Sequence, residues 1–129
     1  MKRCLMLISI TIFLSSCTEN EKNEINIYSK RHYEVDKLQY KKFEEKTGIK
    51  VNVVKAGDDE LLERLKNEGS NSPADLYVTV DAGKLQKGVE MGLFQKIINN
   101  KIDINVRNEL EDPNKYWVPI TYRARLVVY

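Results

Sequence analysis

The sequence predicts an α/β domain with a mostly parallel sheet flanked by helices. From Ile25 onward, short apolar runs alternate with longer charged stretches whose apolar residues recur at helical spacing. These segments follow the order strand, helix, strand, helix, strand, helix, and connections of only a few residues separate them. Alternating strands and helices joined in this way favour parallel strands with right-handed crossovers.

The first strand and the first helix are predicted on either side of a short loop. Residues 25–28 alternate apolar and polar side chains, as a half-buried strand does, and a loop begins at Ser29. Residues 35–46 are rich in Lys, Glu and Gln and precede Gly48, a residue type that commonly ends helices. We therefore predict a helix over residues 35–46.

The second strand and the second helix have the clearest patterns. Residues 49–54 alternate with period two and predict a strand. Asp58 is placed to cap a helix that ends at Gly69. The apolar stripe of this helix consists of Leu61, Leu62 and Leu65.

A third strand and helix follow a loop. Residues 74–80 form a nearly continuous apolar run, typical of a strand covered on both faces. Asp81 is placed to cap a helix that ends at Gly92. The pattern then weakens, and residues 99–113 predict at most a short helix. Residues 116–129 predict an extended segment that leads into a strand, within which the sequence stops.

The N-terminus predicts export and a lipid anchor. A basic head is followed by an apolar stretch too short to span a bilayer, which predicts a signal peptide over residues 1–16. Residues 14–17 resemble the bacterial lipobox, so Cys17 is predicted to be the lipidated first residue of the mature chain. The alternatives are an ordinary signal peptide with a coincidental cysteine, or an uncleaved anchor. Residues 17–24 are polar and predict a tether.

Composition excludes several classes of function. Loss of Lys2 and Arg3 with the signal would leave 19 basic and 19 acidic residues, and a neutral chain argues against a nucleic-acid partner. Loss of Cys4 would leave no free thiol for a disulfide or a cysteine nucleophile. No G-x-S-x-G elbow, glycine-rich phosphate loop or HExxH pair is present, so we do not expect an enzyme.

His32 and Tyr33 are the candidate metal ligands. They follow the first predicted strand, and ligands of open α/β folds bind where strands end. Imidazole beside a phenol offers a nitrogen ligand and a hard anionic oxygen, a pair better suited to oxidised iron than to soft metals. The alternative is that both are surface residues of the first helical turn. Three other tyrosines fit strand or helix patterns and are interpreted as structural: Tyr28, Tyr40 and Tyr77.

The motifs together resemble the first lobe of a ferric iron-binding, periplasmic-type substrate-binding protein, the receptor of an iron ABC transporter. The resemblance runs from residue 25 to residue 129. It is carried by Ile27-Tyr28-Ser29, by Arg31-His32-Tyr33 with Asp36, and by residues 47–51, 60–65, 71–75, 79–83 and 123–129.

The resemblance implies a periplasmic binding protein-like lobe that ends in the strand crossing to an incomplete second lobe. It implies that His32 and Tyr33 bind Fe(3+), that Arg123 lies near the cleft and balances phenolates or holds a synergistic anion, and that a permease in the cytoplasmic membrane is the partner. The family's further tyrosine ligands fall beyond residue 129, and neither Tyr122 nor Tyr129 is given a ligand role. The predicted location is the extracytoplasmic face of the cell membrane.

Three alternatives remain open at this point. Related receptors bind other small solutes on the same architecture, and the predicted helix starts at Asp58 and Asp81 offer amides to an oxyanion. A flavodoxin-like or receiver-like domain shares the βαβ order but fits a lipid-anchored export signal poorly. The chain is also consistent with a truncated half-protein without a transport role.

Overall fold

The computed structural model describes residues 23–99, 101–102 and 106–121 of the 129-residue chain. Its six main elements alternate in the predicted order. They are β1 (Glu24–Ser29), α1 (Glu34–Thr47), β2 (Lys50–Lys55), α2 (Asp58–Glu68), β3 (Leu76–Val78) and α3 (Ala82–Glu90). Short 3-10 turns follow α2 at Gly69–Asn71 and lie at Asn108–Leu110.

The described strands form one parallel sheet with the order β2, β1, β3. β1 therefore lies in the centre, paired along its full length with β2 and over its last three residues with β3. The register places Tyr28 between Val54 and Tyr77. The predicted parallel α/β architecture is confirmed.

The core lies between the sheet and α2. Leu61 and Leu65 of α2 pack with the side chain of Tyr28, which is 1% exposed. The Tyr28 hydroxyl donates hydrogen bonds of 2.8 and 3.0 Å to the Glu68 carboxylate. Partly buried apolar residues surround this cluster: Val54, Ala56, Ala74, Tyr77, Leu93 and Phe94.

Two helix boundaries are as predicted. The chain leaves α1 at Gly48, whose φ of 71° is left-handed and whose amide donates to the Glu44 carbonyl at 2.8 Å. Asp81 caps α3, since its carboxylate accepts a 2.8 Å hydrogen bond from the Gly83 amide. The end of α3 lies at Glu90, just before Gly92 with its φ of 69°.

The prediction that Asp58 caps α2 was wrong. The N-cap residue is Gly57, and Asp58 is the first residue of the helix. Its carboxylate instead accepts a 2.7 Å hydrogen bond from the Tyr77 hydroxyl. The Asp58 carboxylate, which the local sequence pattern assigned to the helix cap, is thus used for a contact with β3, which lies farther along the chain.

β3 is shorter and less covered than predicted. It has three residues, and Leu76 and Val80 are 50% and 42% exposed. At its start, the Asp75 carboxylate accepts a 2.7 Å bond from the Asn26 amide, and the Asp75 amide donates a 2.9 Å bond to the Asn26 carbonyl. At its other end, the last bond of the ladder runs from the Lys30 amide to the Val78 carbonyl. The predicted run over residues 74–80 was therefore too long.

The part of the chain after Gly92 has little regular structure where it is described. Within residues 99–113, where a short helix was expected, residues 101 and 102 are helical and Asn108–Leu110 form a 3-10 turn. Residues 116–121 form neither helix nor strand. Several predictions fall outside the described residues: the signal peptide, Cys17, Tyr122, Arg123, Tyr129 and the closing strand.

Among the described helices, none is both long enough and apolar enough to cross a membrane.

Candidate functional site

The candidate site begins where β1 leaves the sheet. β1 ends at Ser29, whose hydroxyl accepts a 3.1 Å hydrogen bond from the Arg31 amide. The intervening Lys30 amide is bonded to the Val78 carbonyl of β3 at 2.9 Å. These bonds direct the chain outward at the carboxyl edge of the sheet, the usual position of ligand sites in open α/β folds.

His32 and Tyr33 are adjacent and exposed at this edge. Their ring centroids are 5.2 Å apart and their planes differ by 30°. Tyr33 is the N-cap residue of α1 in an extended conformation, and its carbonyl accepts a 3.1 Å bond from the Asp36 amide. Because its side chain makes no capping bond and is 40% exposed, the phenol is available to a ligand.

Arg31 lies behind the pair and is almost fully buried. Its guanidinium donates two hydrogen bonds to the Asp36 carboxylate, at 2.9 Å from Nε and 2.8 Å from Nη2. Its carbon Cζ lies 5.0 Å from the centre of the Tyr33 ring. The hydrogen bonds from Arg31 hold the pKa of Asp36 below its ordinary value, so this ion pair stays charged at neutral pH.

An open groove of about 1280 Å³ follows the whole length of β3 and reaches this edge of the sheet. Tyr33 and Arg31 line one part of it, β3 and the start of α3 another, and residues 116–121 a third. His32 is not among the lining residues. The structure therefore brings Tyr33 to the groove and leaves His32 on the exposed surface beside it.

A metal ion needs more ligands than these two residues. In the described part of the chain, no three His, Cys, Asp or Glu side chains are grouped to hold an ion. Tyr28 and Tyr77 are structural, because their hydroxyls donate to Glu68 and Asp58 in and around the core. Arg123, the predicted anion-binding residue, lies outside the described residues.

Arg31 was not identified from the sequence as part of the site. Arg31 and Asp36 appeared there only as parts of a motif, although they flank the candidate ligands with opposite charges. Thr121 was also missed, and its hydroxyl accepts a 3.3 Å hydrogen bond from Arg31 Nη1. An Arg and an Asp on either side of a helix start were the available signal, whereas nothing local pointed to Thr121.

Comparison with known proteins decides the family. Residues 28–129 match the family described as bacterial extracellular solute-binding protein. The chain belongs to this family. The resemblance proposed from the motifs is confirmed, and so is the α/β fold of a binding-protein lobe.

The relatives that the chain matches include an iron uptake protein and a ferric iron-binding protein. The chain is 46% identical over 112 residues to iron uptake protein A1 of Synechocystis sp., a match that covers 87% of this chain and 31% of that protein. It is 27% identical over 114 residues to the major ferric iron-binding protein of Neisseria gonorrhoeae, covering 82% of this chain and 32% of that protein. These relatives are binding and uptake proteins, which agrees with the expectation that the chain is not an enzyme.

Solved structures in this family agree with the fold. The chain superposes on the ferric binding protein from Campylobacter jejuni with a TM-score of 0.73 and 45% identity, covering 75% of this chain and 31% of that one. It superposes on a Trichodesmium protein in complex with iron and citrate with a TM-score of 0.71 and 44% identity, covering 74% and 30%. The chain spans less than a third of the length of the relatives it matches.

Proposed function

We propose that this chain is the first lobe of the extracytoplasmic solute-binding component of an ABC transporter, and that it binds ferric iron for import. The observation that carries the proposal is the placement of Tyr33, exposed next to His32 at the carboxyl edge of the sheet. Relatives named as iron uptake and ferric iron-binding proteins support it.

The chemistry of the two side chains fits a ferric ion. Ionised phenol is a hard oxygen donor, and imidazole is a common nitrogen ligand. Binding would displace the phenolic proton of Tyr33, because a metal ligand must be deprotonated. Ferric binding should therefore strengthen as pH rises through the neutral range, as long as iron stays buffered in solution.

The remaining ligands lie outside the described residues or come from a bound anion. A related structure holds iron together with citrate, which supports an anion as part of the bound species. We propose that Arg123 carries the positive charge that holds this anion, as guanidinium does for carboxylates.

We propose that Cys17 carries the lipid that anchors the protein at the outer face of the cytoplasmic membrane, where a permease would receive the iron. Radiolabelled palmitate supplied to cells that express the chain should label the wild type. The Cys17→Ser variant should remain unlabelled. A labelled Cys17→Ser variant would contradict the lipid assignment without affecting the iron assignment.

The oxyanion alternative is less well supported by the two helix starts on which it depended. The amide of Gly83 at the start of α3 is already bonded to the Asp81 carboxylate. The first turn of α2 carries Asp58, Asp59 and Glu60, whose negative charges repel an anion. Both observations count against an oxyanion bound at these helix starts.

The test is a titration, with citrate-buffered ferric iron, of a protein that carries this lobe together with the second lobe, followed by the visible tyrosinate-to-iron absorption. The wild type should develop the band and Tyr33→Phe should lose it. His32→Ala should keep a band but weaken binding by about 10-fold or more, the usual scale for a lost ligand or partner at a metal site. Tyr40→Phe is the matched control, because Tyr40 is a partly buried tyrosine of α1 with no proposed ligand role.

Two outcomes would overturn the assignment. If Tyr33→Phe and His32→Ala both keep the band and the affinity of the wild type, these residues are not the ligands. If the wild type shows no band while far-ultraviolet circular dichroism shows a folded chain, the chain does not bind ferric iron through tyrosinate.

A further inference from the structure

We propose that Arg31 is the positioning residue of this site: it orients the Tyr33 ring and ties it to residues 116–121, which line the groove. This inference rests on the proposed ferric function, and it assigns a role to a residue that is not itself a ligand. Three contacts carry it, one to Asp36, one to Tyr33 and one to Thr121.

The first contact fixes the plane of the guanidinium. Arg31 is 8% exposed, and its Nε and Nη2 atoms bind the two oxygens of Asp36 in a fork. Such paired bonds set an orientation as well as a distance, which a single ammonium cannot do. Asp36 lies in the first turn of α1, so the fork also joins the loop after β1 to this helix.

The second contact places Tyr33 against this fixed plane. The guanidinium carbon lies 5.0 Å from the centre of the ring, within the range of a cation–π contact. Tyr33 is exposed and its side chain has no capping bond, and its ring contacts both Arg31 and His32. Of these two neighbours only Arg31 is buried, so Arg31 is the one that holds the Tyr33 ring in its orientation.

The third contact reaches across 90 residues of sequence. Arg31 Nη1 donates a 3.3 Å hydrogen bond to the Thr121 hydroxyl, so the two sides of the groove share one side chain. The segment before Thr121 is itself anchored. The buried Asp112 carboxylate accepts bonds from the Asn114 and Tyr116 amides at 3.2 and 2.8 Å, and the Ile97 amide donates to the Lys115 carbonyl at 2.7 Å.

Together these contacts fix the orientation of a candidate metal ligand, as outer residues do around metal sites. Groups that orient ligands from behind commonly change metal affinity by about 10- to 100-fold when they are removed. Arg31 is such a group, because it touches the candidate ligand and both walls of the groove and is itself held by Asp36.

A second arginine in the chain provides a matched control. Arg64 also lies over a tyrosine ring, with its Cζ 4.7 Å from the centre of Tyr28, and it also donates to a carboxylate, at 2.7 Å from Nε to Glu68. This arginine is on α2, is largely exposed and does not line the groove. Replacement of either arginine by lysine keeps the charge and removes the planar fork.

The experiment compares Arg31→Lys, Thr121→Val and Arg64→Lys with the wild-type chain by two measurements. The first is the ferric titration described above, with the position of the tyrosinate band. The second, independent of iron, is the carbon-13 NMR signal of the Tyr33 ring in ring-labelled protein, assigned by its loss in Tyr33→Phe.

The expected result is specific to Arg31 and Thr121. Arg31→Lys should shift and sharpen the Tyr33 ring signal toward that of a free tyrosine, displace the band and weaken ferric binding by about 10- to 100-fold. Thr121→Val removes only one bond and should show the same changes at a smaller size. Arg64→Lys should leave both the Tyr33 signal and the band unchanged.

The proposal is overturned if Arg31→Lys and Thr121→Val both fold and leave the Tyr33 signal and the band as in the wild type. It is equally overturned if Arg64→Lys changes them as much as Arg31→Lys does, because the effect is then a general loss of stability. If Arg31→Lys does not fold, Thr121→Val decides. Absence of a ferric band in the wild type refutes the proposed function, and the Tyr33 signal then still tests the positioning role.

Discussion

The hydroxyl of Tyr77 donates a 2.7 Å hydrogen bond to the carboxylate of Asp58, and so joins β3 to the first turn of α2. The ring of Tyr77 also stacks on Phe94, with 5.7 Å between the centroids. Burial is the main cause that raises the pKa of Tyr77 well above its ordinary value of 10.0, and the hydrogen bond to Asp58 adds to it. The folded chain therefore holds this phenolic proton more tightly than the unfolded chain does.

Alkaline stability should depend on Tyr77. A group whose pKa is raised by folding stabilises the fold fully below its unfolded pKa, here about 10, and this contribution is lost as pH rises further. Tyr77→Phe should lower the free energy of unfolding by about 1.5 to 3 kcal/mol near pH 7, the scale of a hydrogen bond to a charged group. Urea unfolding at about pH 7 and about pH 11 should show a smaller decline with pH for Tyr77→Phe than for wild type. Equal slopes for Tyr77→Phe and the wild type would contradict the prediction.

Acid and salt should both act on the contact between α2 and α3. The Asp59 carboxylate binds Lys84 at 2.8 Å and Lys87 at 2.9 Å, and these two lysines lower its pKa to about 2. A lowered carboxyl pKa stabilises the fold above about pH 4, and this contribution is lost as pH falls toward about 2.

Asp59→Asn should therefore lower the melting temperature slightly near pH 7, because an exposed ion pair contributes little. The difference from wild type should shrink in about 1 M salt, which screens exposed charges, and disappear near pH 2. Thermal melts followed by circular dichroism would measure both trends. A difference that persists at high salt and at low pH would show that Asp59 acts through packing.

Gly88 should not tolerate a methyl group. A Cβ atom there would lie 2.3 and 2.4 Å from two ring atoms of Phe94, closer than nonbonded atoms approach. Gly88→Ala would gain about 1 kcal/mol of helix propensity but cost about 1 to 3 kcal/mol through overpacking, because Tyr77 stacks on the same ring. We expect a net loss of unfolding free energy in urea titrations.

A substitution of Phe94 tests whether the contact with its ring causes this loss of stability. In a Phe94→Leu background, Gly88→Ala should become neutral or stabilising, since the crowded ring is gone while the propensity gain remains. Comparison of the two single variants with the double variant measures this coupling. Equal effects of Gly88→Ala in both backgrounds would exclude the ring contact as the cause.

The Asp81 cap of α3 should contribute more to the free energy of unfolding than its exposed position suggests. The Asp81 carboxylate accepts a hydrogen bond from the Gly83 amide, which otherwise has no partner within the helix. Asp81→Ala should cost about 0.5 to 2 kcal/mol of unfolding free energy, and Asp81→Asn should retain most of it. Urea titrations of the two variants measure the difference, and equal losses would mean that the charge and not the capping bond is responsible.

Local pattern was sufficient to predict most of the fold. The helix ends at Gly48 and Gly92 and the cap at Asp81 depend on residues close in sequence, and the parallel sheet follows from the order of elements. The leucines of α2 were identified from helical spacing alone, and Leu61 and Leu65 indeed lie in the core.

The errors arose where distant residues compete for the same group. Asp58 fits a cap by sequence, but Tyr77 occupies its carboxylate. β3 begins only at Leu76, and the Asp75 carboxylate before it binds the Asn26 amide of β1, a contact across 49 residues that the local pattern does not reveal. At the candidate site, Tyr33 and His32 followed from their place after a strand, whereas the contact of Arg31 with Thr121 spans 90 residues and has no local signal.

The central position of β1 in the sheet lowers the entropy cost of binding a ligand. Hydrogen bonds to β2 and β3 hold its last residues on both sides, and the Lys30 amide extends this pairing to the residue before Arg31. The backbone that carries the candidate ligands thus leaves a segment that opens rarely, so amide hydrogen exchange at Ile27, Tyr28 and Ser29 should be among the slowest in the chain. Because this backbone is already ordered, it loses little conformational entropy when an ion binds. A small entropy cost favours affinity independently of the bonds to the ligand.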